Sequence, residues 1–97
     1  MKEDSIYLIT VMSHTFFPRH MRCWGWYPNI TDAQKALDND TFSMSEGLYD
    51  YAVIEKVNCG IPAIGEVVEW RQYKNGKWSL LEKEPMRFEG TVNFGIG

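Results

Sequence analysis

The stretch Gly47-Leu48-Tyr49-Asp50-Tyr51-Ala52-Val53-Ile54-Glu55-Lys56-Val57-Asn58-Cys59 does most to restrict what this chain can fold into. Side chains alternate along an extended backbone, so Tyr49, Tyr51, Val53 and Val57 point one way and Leu48, Ala52 and Ile54 the other. Both faces are partly apolar. A strand of that kind needs neighbours on each side and cover on each face, which predicts an interior position in a sheet. Its tyrosines, valines and isoleucine agree with strand propensity.

A second apolar run, Ser5–Met12, has strand length and is expected to lie beside the first near the middle of the sheet. Pro18 and the polar residues around it make residues 13–20 a loop. Met21–Tyr27 resumes as a strand, and regular alternation places Arg22, Trp24 and Trp26 on one face. Gly25 between the two tryptophans predicts a close approach of backbone or ligand on the other face.

One helix follows. Thr31 with Gln34 has capping-box spacing, Asp32 complements the dipole, and Ala33, Ala36 and Leu37 form a single apolar stripe. Asp38-Asn39-Asp40 supplies a stop, Asn39 being a residue that tolerates the left-handed conformation. Further on, Asn75-Gly76 between the segments 66–73 and 77–83 favours a two-residue type I′ hairpin. That register sets Tyr73 opposite Trp78, Arg71 opposite Leu80 and Trp70 opposite Leu81. Residues 91–94 are a candidate last strand. The order β-β-α-β-β-β predicts an α+β fold, an antiparallel-rich sheet of about five strands with one short helix on a face, as a single domain over residues 1–97.

The net charge of −3 argues against a duplex nucleic acid as partner, which needs a broad basic footprint. A small anion needs only two or three well-placed Arg or Lys. No apolar run is long enough for a membrane span or a signal segment, so a cytoplasmic location without membrane contact is expected. Cys23 and Cys59 have no framework spacing and read as reduced thiols. His20-x-x-Cys23, with His14 and Cys59, lacks the paired ligand knuckles of a zinc site, so no metal or other cofactor is expected. Ser13 or Cys23 with a nearby His is no more than a bare pairing, without Gly-x-Ser-x-Gly or His-Glu-x-x-His. The expectation is a protein that binds and does not catalyse.

The best candidate site is the strand face of Arg22, Trp24 and Trp26, with Arg19 just upstream. Indoles stack on bases, and guanidinium forks match phosphate oxygens. Tyr49 and Tyr51, expected side by side, offer further stacking. Arg71 is a third candidate phosphate ligand, and Asn93 can hydrogen-bond a base edge or a ribose.

The run Glu46-Gly47-x-Tyr49-x-Tyr51-Ala52-Val53-Ile54-Glu55 lies downstream of a Trp-bearing strand and an Ala/Leu helix. Gly60-Ile61, Trp70 and Asn93-Phe94-Gly95-x-Gly97 follow it. Together these resemble small proteins encoded by phages and prophages. The resemblance covers most of the chain from Met21 on and implies an inhibitor of bacterial immunity. One such class is the sponges that sequester cyclic ADP-ribose or cyclic-nucleotide signals of Thoeris-type defence. It carries no ligand residue over to a position here; the eight candidates come from the strands alone. The implied function is capture of a small nucleotide signal in the host bacterial cytoplasm, with a pocket completed in a homo-oligomer. The alternative is a protein–protein inhibitor of a host defence enzyme, of the anti-CRISPR kind.

Overall fold

The structure is a computed structural model, and it describes residues 5–13, 21–39, 49–58 and 65–82. Strands β1 (Ser5–Met12) and β2 (Met21–Tyr27) precede helix α1 (Ile30–Asp38), and β3 (Tyr51–Asn58), β4 (Gly65–Lys74) and β5 (Lys77–Leu81) follow it. They form one five-stranded antiparallel sheet in the order β2-β1-β3-β4-β5. The fold is α+β in the order expected. The strand with two apolar faces is the central one, and β1 lies beside it over the full length from Ser5↔Asn58 to Met12↔Tyr51.

Among the described residues the hairpin is the element most directly dictated by local chemistry. Asn75 and Gly76 have φ of 54° and 81°, the positive values that a type I′ turn requires and that Asn and Gly tolerate best. Tyr73 pairs with Trp78, Arg71 with Leu80 and Trp70 with Leu81, as the turn demands. The rings of Tyr73 and Trp78 meet edge to face at 5.2 Å, an arrangement worth about 0.5–1.5 kcal/mol beyond burial.

The helix begins earlier than its capping-box spacing indicates. Asn29, not Thr31, is the N-cap: its side-chain oxygen accepts the Asp32 backbone N–H at 2.9 Å, and its amide donates to the Asp32 carboxylate at 3.0 Å. Asn outranks Thr as a cap, and the second bond, from the Asn29 side-chain amide to the Asp32 carboxylate, fixes the cap side chain in place. At the other end the helix stops at Asn39 as the stop signal indicates, with φ −94°, so the left-handed conformation that Asn tolerates is not used.

Ala33, Ala36 and Leu37 press onto Ile9, Val11, Ala52, Ile54 and Trp78, and this is the larger core cluster. The opposite face carries a second cluster, Met12, Val53 and Trp70, flanked by Tyr51, Val67 and Leu81. A helix of nine residues is too short to be stable alone, so its direction over the sheet is set by what holds it. Gln34 reaches Glu69 and Asp38 reaches Arg71, both on β4. Glu69 lies in the row of Ile54, Ile9 and Gly25, and Arg71 in the row of Ala52, Val11 and Arg22. The helix therefore starts by the Tyr27 end of β2 and runs back toward the Arg22 end. No described helix is long and apolar enough to cross a membrane.

Candidate functional site

A bulge decides which of the candidate residues share a face. Between Ile9 and Thr10 the register with β2 shifts, from Ile9↔Gly25 to Thr10↔Cys23, and Trp24 is the extra residue. An extra residue reverses the alternation beyond it. Arg22 and Trp24 lie on the helix side, whereas Trp26 pairs with Leu8 and faces the other way. This corrects the single face expected for Arg22, Trp24 and Trp26. Trp26 is 61 % exposed, and Trp24 is half-buried against the helix-side cluster.

Tyr49 and Tyr51 separate for a related reason. Strand β3 starts at Tyr51, which joins the far-side cluster. Tyr49 stands before it and turns to the helix side, where its ring meets Trp24 edge to face at 6.3 Å. The two tyrosines are not a shared platform. Tyr51 instead accepts a long hydrogen bond from Gln72 at 3.4 Å, and burial followed by the charge of Asp50 raises its hydroxyl pKa.

Arg71 is engaged within the fold. Its Nε donates to Glu69 at 2.6 Å, and its Nη1 donates to Asp38 at 2.7 Å and to the Trp78 carbonyl at 3.2 Å. Gln34 donates to the second Glu69 oxygen at 2.7 Å. The side chains of Arg71 and Glu69 are each only 10 % exposed, and Asp38 is 59 % exposed. Burial by itself disfavours the guanidinium charge, but the hydrogen bonds and charges of Asp38 and Glu69 outweigh it, and the pKa of Arg71 is raised. Arg71 is thus the clasp between helix and sheet, with its donors already directed at protein acceptors.

What the fold does bring together is Arg22, Trp24 and Tyr49, where β1 ends and β2 begins. The Arg22 guanidinium carbon lies over the Trp24 ring, 5.6 Å from its centroid. A cation so placed interacts with the negative face of the indole, about 0.5–1 kcal/mol at an exposed site. Arg22 is exposed and, among the described residues, has no carboxylate partner. Its fork keeps donors for an external anion, beside an aromatic edge that can pack on a planar group. Arg19 and Asn93 lie outside the described residues, as do His14, His20, Cys59 and the candidate strand at residues 91–94.

Gly25 fills no tight space. A methyl group built there meets nothing within 4 Å, and its φ is not in the left-handed range. Among the described residues no backbone approaches this glycine closely. Cys23 is exposed and unpaired. Desolvation by the surrounding strands, opposed by the Gly25 backbone hydrogen bond and reinforced by the charge of Glu55, raises its thiol pKa. A raised pKa leaves less thiolate near neutrality, the reverse of what an activated nucleophile needs. Among the described residues no three His, Cys, Asp or Glu side chains are grouped to hold a metal ion.

Sequence reasoning missed one feature of the helix side. A depression of about 330 Å³ runs between β2 and the outer flank of α1, lined by Tyr27, Asp32, Lys35, Ala36 and Asn39. Its signal was available: 32, 35/36 and 39 recur at helical spacing on a flank not used by Ala33 and Leu37. Comparison with protein-family models, curated proteins and solved structures gave no match for this chain.

Proposed function

We propose that the protein is a non-enzymatic binder that sequesters a small nucleotide signal, of the cyclic ADP-ribose or cyclic-nucleotide kind, and so suppresses a bacterial defence response to phage. The observation that supports it is the Arg22–Trp24–Tyr49 cluster: an exposed guanidinium that has no carboxylate partner among the described residues, 5.6 Å from an indole centroid that is itself braced by a tyrosine. The guanidinium takes a phosphate and the aromatic edge takes the base. Trp26, Tyr51 and Arg71 have no part in this reading, because two face away and the third is the clasp.

Calorimetry with cyclic ADP-ribose isomers and cyclic dinucleotides tests it. Stoichiometric heat that Arg22→Ala abolishes is the expected result. No heat with any of them overturns capture, and a cleaved product overturns the non-enzymatic reading.

Trp26 favours a second reading. A tryptophan 61 % exposed on the face away from the helix is the residue type that anchors protein interfaces. If the protein instead blocks a host defence enzyme, a stoichiometric protein partner will copurify and be lost in Trp26→Ser, with Arg22→Ala unaffected.

A further inference from the structure

The depression between β2 and α1 presents polar groups of a particular mix around an apolar floor. Asp32, Lys35, Ala36 and Asn39 fall on one flank of the helix, since positions three, four and seven apart stack along its axis. Ala36 contributes a methyl at the bottom, and Tyr27 forms the opposing wall from β2. Among the described residues, the side chains of Tyr27, Lys35 and Asn39 make no hydrogen bond or ion pair. One oxygen of Asp32 is held by the Asn29 amide, which orients the carboxylate. Its other oxygen is left as an acceptor.

This set selects among ligand chemistries. An ammonium ligand would find oxygen acceptors at Asp32, Asn39 and Tyr27, but the Lys35 charge on the same flank repels it. A purely apolar ligand makes no use of these polar groups and meets apolar surface only at Ala36 and the Tyr27 ring. An anion that also carries hydroxyl groups meets every group. Its negative end goes to Lys35 and the Asn39 amide, whose donors act against the negative end of the helix dipole there, and its hydroxyls donate to the Asp32 oxygen. Its ring lies against Tyr27. Asp32 and Asn39 are seven residues apart, about 10 Å along the helix, which matches a five- or six-carbon sugar bearing one phosphate. We propose that this depression binds a sugar phosphate, either free or as the ribose-phosphate part of a nucleotide. Tyr27 is five residues from Arg22, at the other end of β2, and the cluster lining the depression shares no residue with Arg22–Trp24–Tyr49.

The experiment is a titration of the isotope-labelled full chain, followed by backbone amide shifts, with ribose 5-phosphate, ribose, inorganic phosphate and AMP. Saturable shifts at Tyr27, Lys35, Ala36 and Asn39 with ribose 5-phosphate are expected. Ribose and phosphate alone should each bind at least about tenfold more weakly, since each loses charge-assisted or hydroxyl contacts. Lys35→Ala, an exposed change that leaves the core intact, should weaken ribose 5-phosphate by about tenfold or more. AMP shifting the same amides assigns the site to nucleotides; AMP leaving them unmoved assigns it to free sugar phosphates. The proposal is overturned by a flat response at these four amides, by an equal response to inorganic phosphate, or by Lys35→Ala binding as the parent does. Shifts confined to Arg22, Trp24 and Tyr49 overturn it while upholding the nucleotide site.

Discussion

Replacing Arg71 by alanine tests whether this arginine holds the fold or a ligand. Its removal leaves Glu69, whose side chain is 10 % exposed, with the Gln34 amide as its one remaining side-chain hydrogen-bond partner among the described residues. Breaking a buried ion pair by deleting one member costs about 3–5 kcal/mol, mostly from the charge left behind. The Asp38 bond adds little, because Asp38 is 59 % exposed and such pairs contribute about 0–1 kcal/mol. The Trp78 carbonyl loses a donor as well. A total near 4 kcal/mol is a large part of the 5–15 kcal/mol that a domain this size commands, and corresponds to roughly 15–30 °C in Tm. Thermal and urea melts followed by near-ultraviolet circular dichroism read it directly. Two controls separate the terms. Asp38→Ala should cost no more than about 1 kcal/mol, and Arg71→Met with Glu69→Gln should recover most of the loss, since no charge then remains buried. An Arg71→Ala protein that melts within about 3 °C of the parent refutes the clasp. If that same protein has lost nucleotide binding, the arginine is a ligand residue after all.

Two further expectations rest on β2. Gly25→Ala should leave stability unchanged or raise it by about 0.4–1 kcal/mol, because the added methyl meets nothing within 4 Å and restricts the unfolded chain; a loss above about 1 kcal/mol in chemical denaturation contradicts the geometry. Cys23, read in a Cys59→Ser background, should react with iodoacetamide with a pH midpoint above the ordinary thiol value of about 8.5. The raised pKa means that the folded form keeps its proton longer than the unfolded one. Its contribution to stability is therefore full below the unfolded pKa and is lost as pH rises through the folded value. A midpoint below that of a free thiol contradicts it.

The strands, their order and the hairpin register are legible in the sequence because they depend on local or period-two signals. Asn75-Gly76 selects its turn by φ alone, and alternate apolar residues in β1 and β3 place those strands inside the sheet. The helix start is less legible, because Asn29 and Thr31, two residues apart, are both good caps and compete. The site was less legible, for a different reason. Arg71 looks like any other solvent-reaching cation until the helix is docked, and its partners Asp38 and Glu69 lie 33 and 2 residues away. No local pattern relates positions 38 and 71; only the packing of α1 across the rows of β3 and β4 does.

The β2 bulge shows how one backbone irregularity changes a functional reading without changing the fold. A regular strand would have put Arg22, Trp24 and Trp26 in line and made a long cationic aromatic strip. The extra residue at Trp24 divides that strip: a guanidinium and one indole stay with the helix, and the other indole goes to the far face. The two halves then have different chemistries. Arg22 over Trp24, braced by Tyr49, suits a small planar anion, whereas a lone exposed Trp26 suits a flat macromolecular contact. Bulges are common on edge strands, where they also discourage unwanted strand pairing. At β2 the same device decides which side chains can meet one ligand.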